Sequence, residues 1–369
     1  VLLGKSYTCN RRHLNKEASE VRASGNNDWG DGNAHVAYRL REYRYARYCH
    51  DGIWRPGGFA PYGHSGTSTG TWADRLYAAG VNPAEAYIRT GQYAFFKPTL
   101  PYTPGFDGAG VVDKVGEGVQ GSKPGDRVFV TALTARRNTG TYAEKVVCDA
   151  EAVHLLPDAV TLEQGAAVGF PGMAAYRALF QCAGLKPAER ILIHGASGGV
   201  GTVAVQLARA CGAFVIGTAG SPASMELVRS IGAHIVLDHT QPGYLDTLAA
   251  LTSGVGPDVI LEMLADKNLE NDMRMIAKHG RIVVIGSRGS LEMTPRLLMA
   301  KESVVMGMAI WHSAPEEARM AEAAVAAALR SGALRPVLGD ILPLEKAAQA
   351  HEDIIARGGK PGKMLLRIE

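Results

Sequence analysis

The stretch that decides the fold is ILIHGASGGVGTVAVQLARA, residues 191–210. The apolar run at 191–196 predicts a buried strand, and residues 201–212 predict a helix that ends at a glycine cap. The glycines between them let the backbone approach a pyrophosphate without an intervening Cβ, and the helix N-terminus adds free N–H groups and partial positive charge. Because strand, loop and helix follow in this order, the stretch predicts a dinucleotide site rather than a tight turn without a ligand.

The chain around this stretch divides into two patterns. After residue 161, strands alternate with helical segments, and the later strands are FVIGTAG (214–220), HIVLD (234–238), DVILEML (258–264) and GRIVVIG (280–286). Such apolar runs predict a parallel sheet covered on both faces, an α/β fold. Residues 77–156 show short strands broken by glycines, which predict a β-rich domain. The tail, 336–369, returns to this mixed character and is expected to rejoin the β-rich domain.

Composition excludes several classes of protein. The 39 basic and 36 acidic residues give a net charge of +3, too balanced to create a strong field for nucleic acid or membrane. No apolar run approaches the ~18 residues of a membrane span. The first twenty residues lack a long apolar core, so no secretory signal is predicted. The five cysteines are scattered without a CxxC pair, which favours a reducing, intracellular compartment over disulfides or a structural zinc site.

The strand at 214–219 bears on which dinucleotide binds. NAD-selective sites carry an acidic residue after this strand to hold the ribose 2′-OH. This chain has no acid there, so a 2′-phosphate would meet no repulsion, and NADPH is favoured over NADH; the residues are Gly217, Thr218, Ala219, Gly220 and Ser221. Arg229 is the nearest cation in sequence, and it can equally be a solvated helix residue.

Several motifs together resemble one family. GVNPAEAYIRTGQY (80–93), LPYTPGFDGAGVV (100–112), HGASGGVG (194–201), GSRG (286–289) and GKMLL (362–366) look like zeta-crystallin-type NADPH:quinone oxidoreductases. These form a zinc-free branch of the medium-chain dehydrogenase/reductase superfamily. The resemblance covers residues 78–366 and implies a GroES-like catalytic domain (77–160 and 306–369), a Rossmann NADPH-binding domain (161–305) and an active-site cleft between them. It also implies a cytosolic homodimer or homotetramer that passes hydride, or single electrons, from NADPH to quinones or ortho-quinones.

The resemblance also assigns site residues. Tyr87 is expected against the nicotinamide end and Asn82 in the cleft, as the catalytic pair. The other cofactor contacts that it implies are the phosphate loop Ser197, Gly198, Gly199 and Val200, and then Gly220, His239, Asn268, Ile285, Gly286, Ser287 and Arg288. Two alternatives stay open. Tyr87 can be plain core packing, and His239 can be a surface turn residue.

The residues also bear on zinc. Alcohol dehydrogenases of the superfamily carry Cys where this chain has Asn82 and His where it has Phe106, and neither replacement supplies a ligand that zinc prefers. Without a Lewis acid, alcohol oxidation lacks its usual alkoxide stabilisation. A quinone is already electrophilic, so its reduction needs mostly positioning. We therefore expect a zinc-free quinone reductase. The rivals are an enoyl or alkenal reductase, and a non-catalytic NADPH-binding protein that is crystallin-like or RNA-binding.

Residues 1–76 do not fit the rest of the chain. They hold three of the four Trp and none of the 11 Met, and no window shows a helical or strand period. Read one nucleotide later, codons for residues 45–58 permit MRAIAMTEFGGPE, which is like the start of the family. We hypothesise that 1–44 is translated leader and about 45–76 is out of frame, with little ordered structure; coding DNA without such a frame would contradict this. The alternative takes RLREYRYARY (39–48) at face value, as Arg and Tyr that bind RNA.

Overall fold

The structure, a computed structural model, describes residues 71–98, 102–131, 140–356 and 360–369. Apart from 71–76, which lie in β1, the residues of the frame hypothesis (1–76) and of the RNA-binding alternative (39–48) lie outside the described residues. The first strand begins at Thr71, six residues before the start of structure expected at Tyr77.

The elements of the described residues follow one another along the chain as two series. The strands are β1 (Thr71–Gly80), β2 (Asp107–Val115), β3 (Arg127–Val130), β4 (Lys145–Asp149), β5 (Val153–Leu155), β6 (Arg190–Ile193), β7 (Phe214–Ala219), β8 (Ile235–Asp238), β9 (Val259–Glu262), β10 (Arg281–Val284), β11 (Val304–Gly307), β12 (Leu338–Pro343) and β13 (Lys363–Arg367). The helices are α1 (Pro83–Arg89), α2 (Leu162–Ala166), α3 (Gly169–Tyr176), α4 (Gly199–Ala210), α5 (Pro222–Ser230), α6 (Tyr244–Leu251), α7 (Ala265–Met275), α8 (Arg296–Lys301), α9 (Pro315–Ser331) and α10 (Ala347–Ala356).

The first sheet is built from both ends of the described chain. Its order is β12-β13-β1-β2-β3-β5, and β4 also pairs with β1. β1 is antiparallel to β2, β4 and β13, so the C-terminal strand lies beside the first strand. This mixed, mostly antiparallel sheet is the β-rich domain.

The second sheet is parallel, with the order β11-β10-β9-β6-β7-β8. Its central strands are buried apolar runs, as strands covered by helices on both faces must be. The fold class predicted from the sequence is confirmed: an α/β chain with a GroES-like sheet and a Rossmann-type sheet. β11 extends the parallel sheet to Gly307, two residues past the boundary expected at 305.

One hydrophobic cluster joins the two sheets. It runs from Phe106 and Phe129 of the β-rich domain through Met173 on α3 to Ile191 and Val215 of the parallel sheet. The two domains therefore hold each other in place, and the loops that face between them are fixed by packing on both sides. Within the described residues, no helix is both long enough and apolar enough to cross a membrane.

Candidate active site

The glycine-rich loop lies between β6 and α4. Helix α4 begins at Gly199, and its first intrahelical bond runs from Thr202 N to Gly198 O. The N–H groups of the first turn therefore have no partner in the helix and are available to a ligand. Gly195 and Gly198 are exposed, and Ser197, Gly199 and Val200 are partly exposed. The predicted phosphate loop thus has the exposure and the helix N-terminus that binding an anion requires.

Four further loops leave the same edge of the parallel sheet, because parallel strands end on the same side. Gly220 follows β7 and His239 follows β8, and these two residues lie against each other: a Cβ at Gly220 would be 3.0 Å from the His239 ring. The residues 285–288 follow β10, and Asn268 lies on α7, just after β9. The structure therefore brings the Rossmann-side residues assigned by resemblance to one edge of the sheet.

Two of these loops are joined to each other. Ala265 N, at the start of α7, donates to Gly286 O over 2.9 Å, and Arg288 N donates to the Asp266 carboxylate over 2.8 Å. Arg288 also reaches the other domain, where Nη1 donates to Ile355 O of α10 over 2.9 Å. The loop after β10 is therefore held from both domains.

A cluster of buried, titratable side chains is hydrogen-bonded to Asn268. Asn268 Nδ2 donates to Glu262 Oε1 over 3.2 Å, and Glu262 also lies 3.5 Å from His194 Nε2, which is hydrogen-bonded to Asp272 at 2.8 Å. Burial opposes the charged form of His194, but Asp272 and Glu262 outweigh burial and raise the pKa of this histidine. Burial raises the pKa of Glu262 to about 7. The cluster fixes the end of β9 against α7.

On the catalytic side, Asn82 begins helix α1 and is only 3% exposed. Its backbone N–H donates to Glu85 Oε2 over 2.7 Å, and its side-chain Nδ2 donates to Asp107 Oδ2 over 2.8 Å. Asn82 Oδ1 accepts a hydrogen bond from Lys363 Nζ. Protein groups therefore occupy both ends of the Asn82 amide. Tyr87 lies further along α1 and is partly buried.

Glu85 is a buried carboxyl group that is hydrogen-bonded to Asn82. It is 1% exposed and accepts hydrogen bonds from Phe106 N at 2.8 Å and from Tyr142 Oη at 2.7 Å. Burial raises the pKa of Glu85 to about 7 against the opposing effect of Lys363. Tyr142 Oη also lies 3.2 Å from His351 Nε2, and burial lowers the pKa of His351 to about 3. A pKa of about 7 lets the Glu85 carboxyl take up or release a proton around neutral pH.

Sequence reasoning missed four members of this network: Glu85, Asp107, Tyr142 and Lys363. All four lie inside motifs that carry the family resemblance, namely NPAEAY, GFDGAG, YAE (142–144) and GKMLL. The motifs were the available signal, but nothing in their spacing says that the side chains meet.

An aromatic cluster lies beside Phe106. The Phe106 ring stacks on Phe170 at 5.2 Å and meets the edge of Trp311 at 5.2 Å. Trp311 stacks on Phe96 at 5.3 Å, with the ring planes 5° apart, and its Nε1 donates to Tyr93 Oη over 2.8 Å. Residues from the α1–β2 connection and from the segment after β11 thus form one aromatic surface next to the buried network.

The zinc positions of alcohol dehydrogenases do not fit a metal here. The amide of Asn82 is engaged at both ends, and Phe106 is a buried aromatic ring without a donor atom. Within the described residues, one group of His, Cys, Asp or Glu side chains is close enough to hold an ion, namely His194, Glu262 and Asp272. That group is buried at the ends of β6 and β9 beside α7, and a hydrogen bond already joins His194 to Asp272.

Comparison with known proteins defines the class. Residues 75–158 match the family described as alcohol dehydrogenase GroES-like domain, and residues 199–328 match the one described as zinc-binding dehydrogenase. The crystal structure of an NAD-dependent alcohol dehydrogenase superposes with a TM-score of 0.75 at 28% identity, covering 85% of this chain and 95% of that chain. For Escherichia coli quinone oxidoreductase complexed with NADPH, the TM-score is 0.72 at 28% identity, with 83% and 94% covered. The fold is that of the medium-chain dehydrogenase/reductase superfamily.

Curated relatives narrow the class to a family. The quinone oxidoreductase of Rattus norvegicus is 46% identical over 294 residues, covering 80% of this chain and 88% of the relative. The human quinone oxidoreductase is 45% identical over the same shares. The chain belongs to the quinone oxidoreductase family. The predicted family and the prediction that the chain is an oxidoreductase are confirmed.

Proposed function

We propose that this protein reduces quinones with NADPH, without a metal ion, and that aromatic ortho-quinones are its acceptors. One observation carries the proposal: the loops assigned to the cofactor share one sheet edge, and an aromatic cluster surrounds Phe106 where a metal ligand would stand in an alcohol dehydrogenase. The curated relatives are named quinone oxidoreductases, which supports the proposed reaction.

The Rossmann edge supports NADPH as the cofactor. The first-turn N–H groups of α4 would hold the pyrophosphate, and Gly220 and His239 would line the adenosine side. The residues that directly follow β7 are not acidic. Asp238, the last residue of β8, accepts hydrogen bonds from Thr240 N at 2.9 Å and from Thr240 Oγ1 at 2.6 Å. Its carboxylate is engaged within its own turn, so we do not assign it to the ribose. Arg229, the nearest cation in sequence, forms an ion pair with Glu226 on α5, in which Nη1 lies 3.6 Å from Oε2.

The catalytic side supports a planar aromatic acceptor. Offset or edge-on aromatic pairs add to the burial of apolar area, so the cluster around Trp311 offers a surface on which such an acceptor can pack. When bound, NADPH supplies the hydride. Tyr87 would lie against the nicotinamide end. Asn82 holds Asp107 and Lys363 in place, and Glu85 accepts hydrogen bonds from the Asn82 backbone and from Tyr142 behind them. Positioning of this kind is what hydride transfer to an electrophilic quinone requires.

The test is NADPH oxidation by the purified full chain with 1,2-naphthoquinone, with and without EDTA. We expect turnover that the chelator does not change. Loss of turnover with the chelator would contradict the metal-free reaction. Turnover of alkenals or enoyl thioesters in preference to quinones would favour the reductase rival, and tight NADPH binding without turnover would favour a binding role. A cytosolic location and a homodimeric or homotetrameric state stay predictions from the resemblance.

A further inference from the structure

The side chain of Lys363 threads between the two domains. A Cβ at Gly199, in the glycine-rich loop, would lie 3.2 Å from Lys363 Cδ, and a Cβ at Gly80, at the end of β1, would lie 2.9 Å from Lys363 Cε. The stem thus runs through a slot that two glycines leave open. Either glycine replaced by a larger residue would close that slot.

The ammonium group ends in the buried network of the catalytic domain. Lys363 is 4% exposed, and its Nζ donates to Asp107 Oδ2 over 3.0 Å and to Asn82 Oδ1. Asp107 Oδ1 in turn accepts from Phe170 N, at the start of α3. One cation therefore ties together the starts of α1 and α3.

The backbone next to Lys363 is also fixed to the loop. Gly362 N donates to Ser197 O over 2.8 Å, and Lys363 N donates to Val337 O over 2.9 Å. Gly362 has a φ of +108°, and a Cβ there would lie 2.8 Å from Leu338 C, so this position accepts glycine alone. A shift of the glycine-rich loop would therefore move the base of the Lys363 side chain.

From these contacts we propose that Lys363 is a positioning residue that couples NADPH binding on the glycine-rich loop to the Asn82–Asp107 pair in the catalytic domain. This inference rests on the proposed function, because NADPH is the ligand whose binding is coupled. The glycine-rich loop packs against the aliphatic stem of Lys363, and the Asn82–Asp107 pair binds its ammonium group. Neither end can rearrange without the other, which is the physical content of a coupling between two sites.

The experiment is a double-mutant cycle on NADPH affinity, measured by NADPH fluorescence with the full chain. The variants are K363M, D107N and the double K363M/D107N, since the double removes both charges and leaves no unpaired carboxylate. We expect K363M to weaken NADPH binding about tenfold, in the usual range of coupling between sites. The double variant should bind about as K363M does, so the effects of the single changes do not multiply. K363R keeps the charge and should recover most of the affinity.

The control is K360M, in the same tail, because Lys360 is 79% exposed and lies 3.9 Å from Asp340. It should bind NADPH as the wild type does. Thermal unfolding of every variant separates a loss of stability from a loss of NADPH affinity. The coupling would be overturned if folded K363M bound NADPH as the wild type does. It would also be overturned if the effects of the two single substitutions multiplied in the double variant. If K363M does not fold, K363R and the double variant decide the same question. Wild-type protein that does not bind NADPH would instead contradict the proposed function.

Discussion

Gly201 lies against the carbonyl oxygen of Gly195, so that a Cβ atom at Gly201 would be only 2.3 Å from that oxygen. The contact closes the glycine-rich loop on itself before helix α4 continues. The loop shape is therefore set by one glycine inside the helix, while the exposed glycines at its tip are left for the ligand.

Replacing Gly201 with alanine should damage the fold of the loop. The added methyl group would overlap backbone atoms of Gly195 and Ala196, so the loop must move. We therefore expect G201A to lower the free energy of unfolding by about 1–3 kcal/mol, as overpacked sites do. NADPH affinity should fall with it. Urea unfolding and NADPH fluorescence measure the two effects.

G198A is the matched control in the same loop. A Cβ at Gly198 would meet only Gly195 O, at 3.4 Å, and the backbone φ is −84°, which alanine adopts readily. Stability should therefore stay within about 0.5 kcal/mol of the wild type, while NADPH affinity drops because the methyl group stands at the pyrophosphate site. Equal stability of G201A and G198A would show that the close contact does not shape the loop.

The buried Glu85 predicts a dependence of stability on pH. Its pKa rises from 4.5 to about 7 on folding, so the folded protein holds the proton more tightly. The stabilisation is fully present below the unfolded pKa and is lost as pH rises through about 7. This amounts to about 3 kcal/mol across the window. The substitution E85Q imitates the protonated form and should remove part of the slope, because the raised pKa values of Glu262 and His194 contribute to the rest.

Urea unfolding between pH 5 and pH 8 measures this slope. E117Q is the control, because Glu117 is exposed at a turn. An E85Q slope equal to that of the wild type would mean that the buried carboxyl does not hold the proton.

The aromatic cluster predicts the effect of removing Trp311. W311A deletes a stacked ring and the hydrogen bond to Tyr93, so KM for 1,2-naphthoquinone should rise about two- to tenfold. The NADPH dissociation constant should not change. The control is F214A. Phe214 is the first residue of β7, and its ring stacks on His234, so its removal should leave both the KM for 1,2-naphthoquinone and the NADPH dissociation constant unchanged. An unchanged KM in W311A would remove the cluster from the acceptor site.

Tyr87 is the remaining test of the catalytic assignment. If its hydroxyl serves the reaction, Y87F should lower kcat/KM about tenfold, near the value of one hydrogen bond, without changing the unfolding temperature. If Tyr87 is only core packing, Y87F should be silent in turnover, and Y87A should lower the unfolding temperature instead. Steady-state kinetics beside thermal unfolding separate the two outcomes.

The sequence predicted the Rossmann half well, because each of its strands is a short apolar run and each binding loop directly follows a strand. Gly220 and Arg288 lie at the sheet edge for this local reason. Strand β1 was harder to predict. Its register with β2 shifts between Ala73 and Asp74 and again between Leu76 and Ala78, and such bulges break the two-residue alternation by which a strand is found.

The buried network behind Asn82 could not be predicted at all. Lys363 and Asn82 are 281 residues apart, and Tyr142 and Glu85 are 57 apart. Local patterns report which face of an element is buried, but not which distant side chain arrives there. Only the paths of β13 and β1 through the sheet bring these residues together.

The pairing of β1 with β13 also bears on how the protein is made. The whole parallel sheet lies between these two strands in the chain, so a ribosome produces it before the strand that completes the first sheet. The dinucleotide-binding half can therefore fold while translation continues, as domains generally do in the order of synthesis. During that interval β1 lacks one neighbour and exposes an unpaired edge to other nascent chains. Chaperone dependence and aggregation during expression would then arise in the catalytic half.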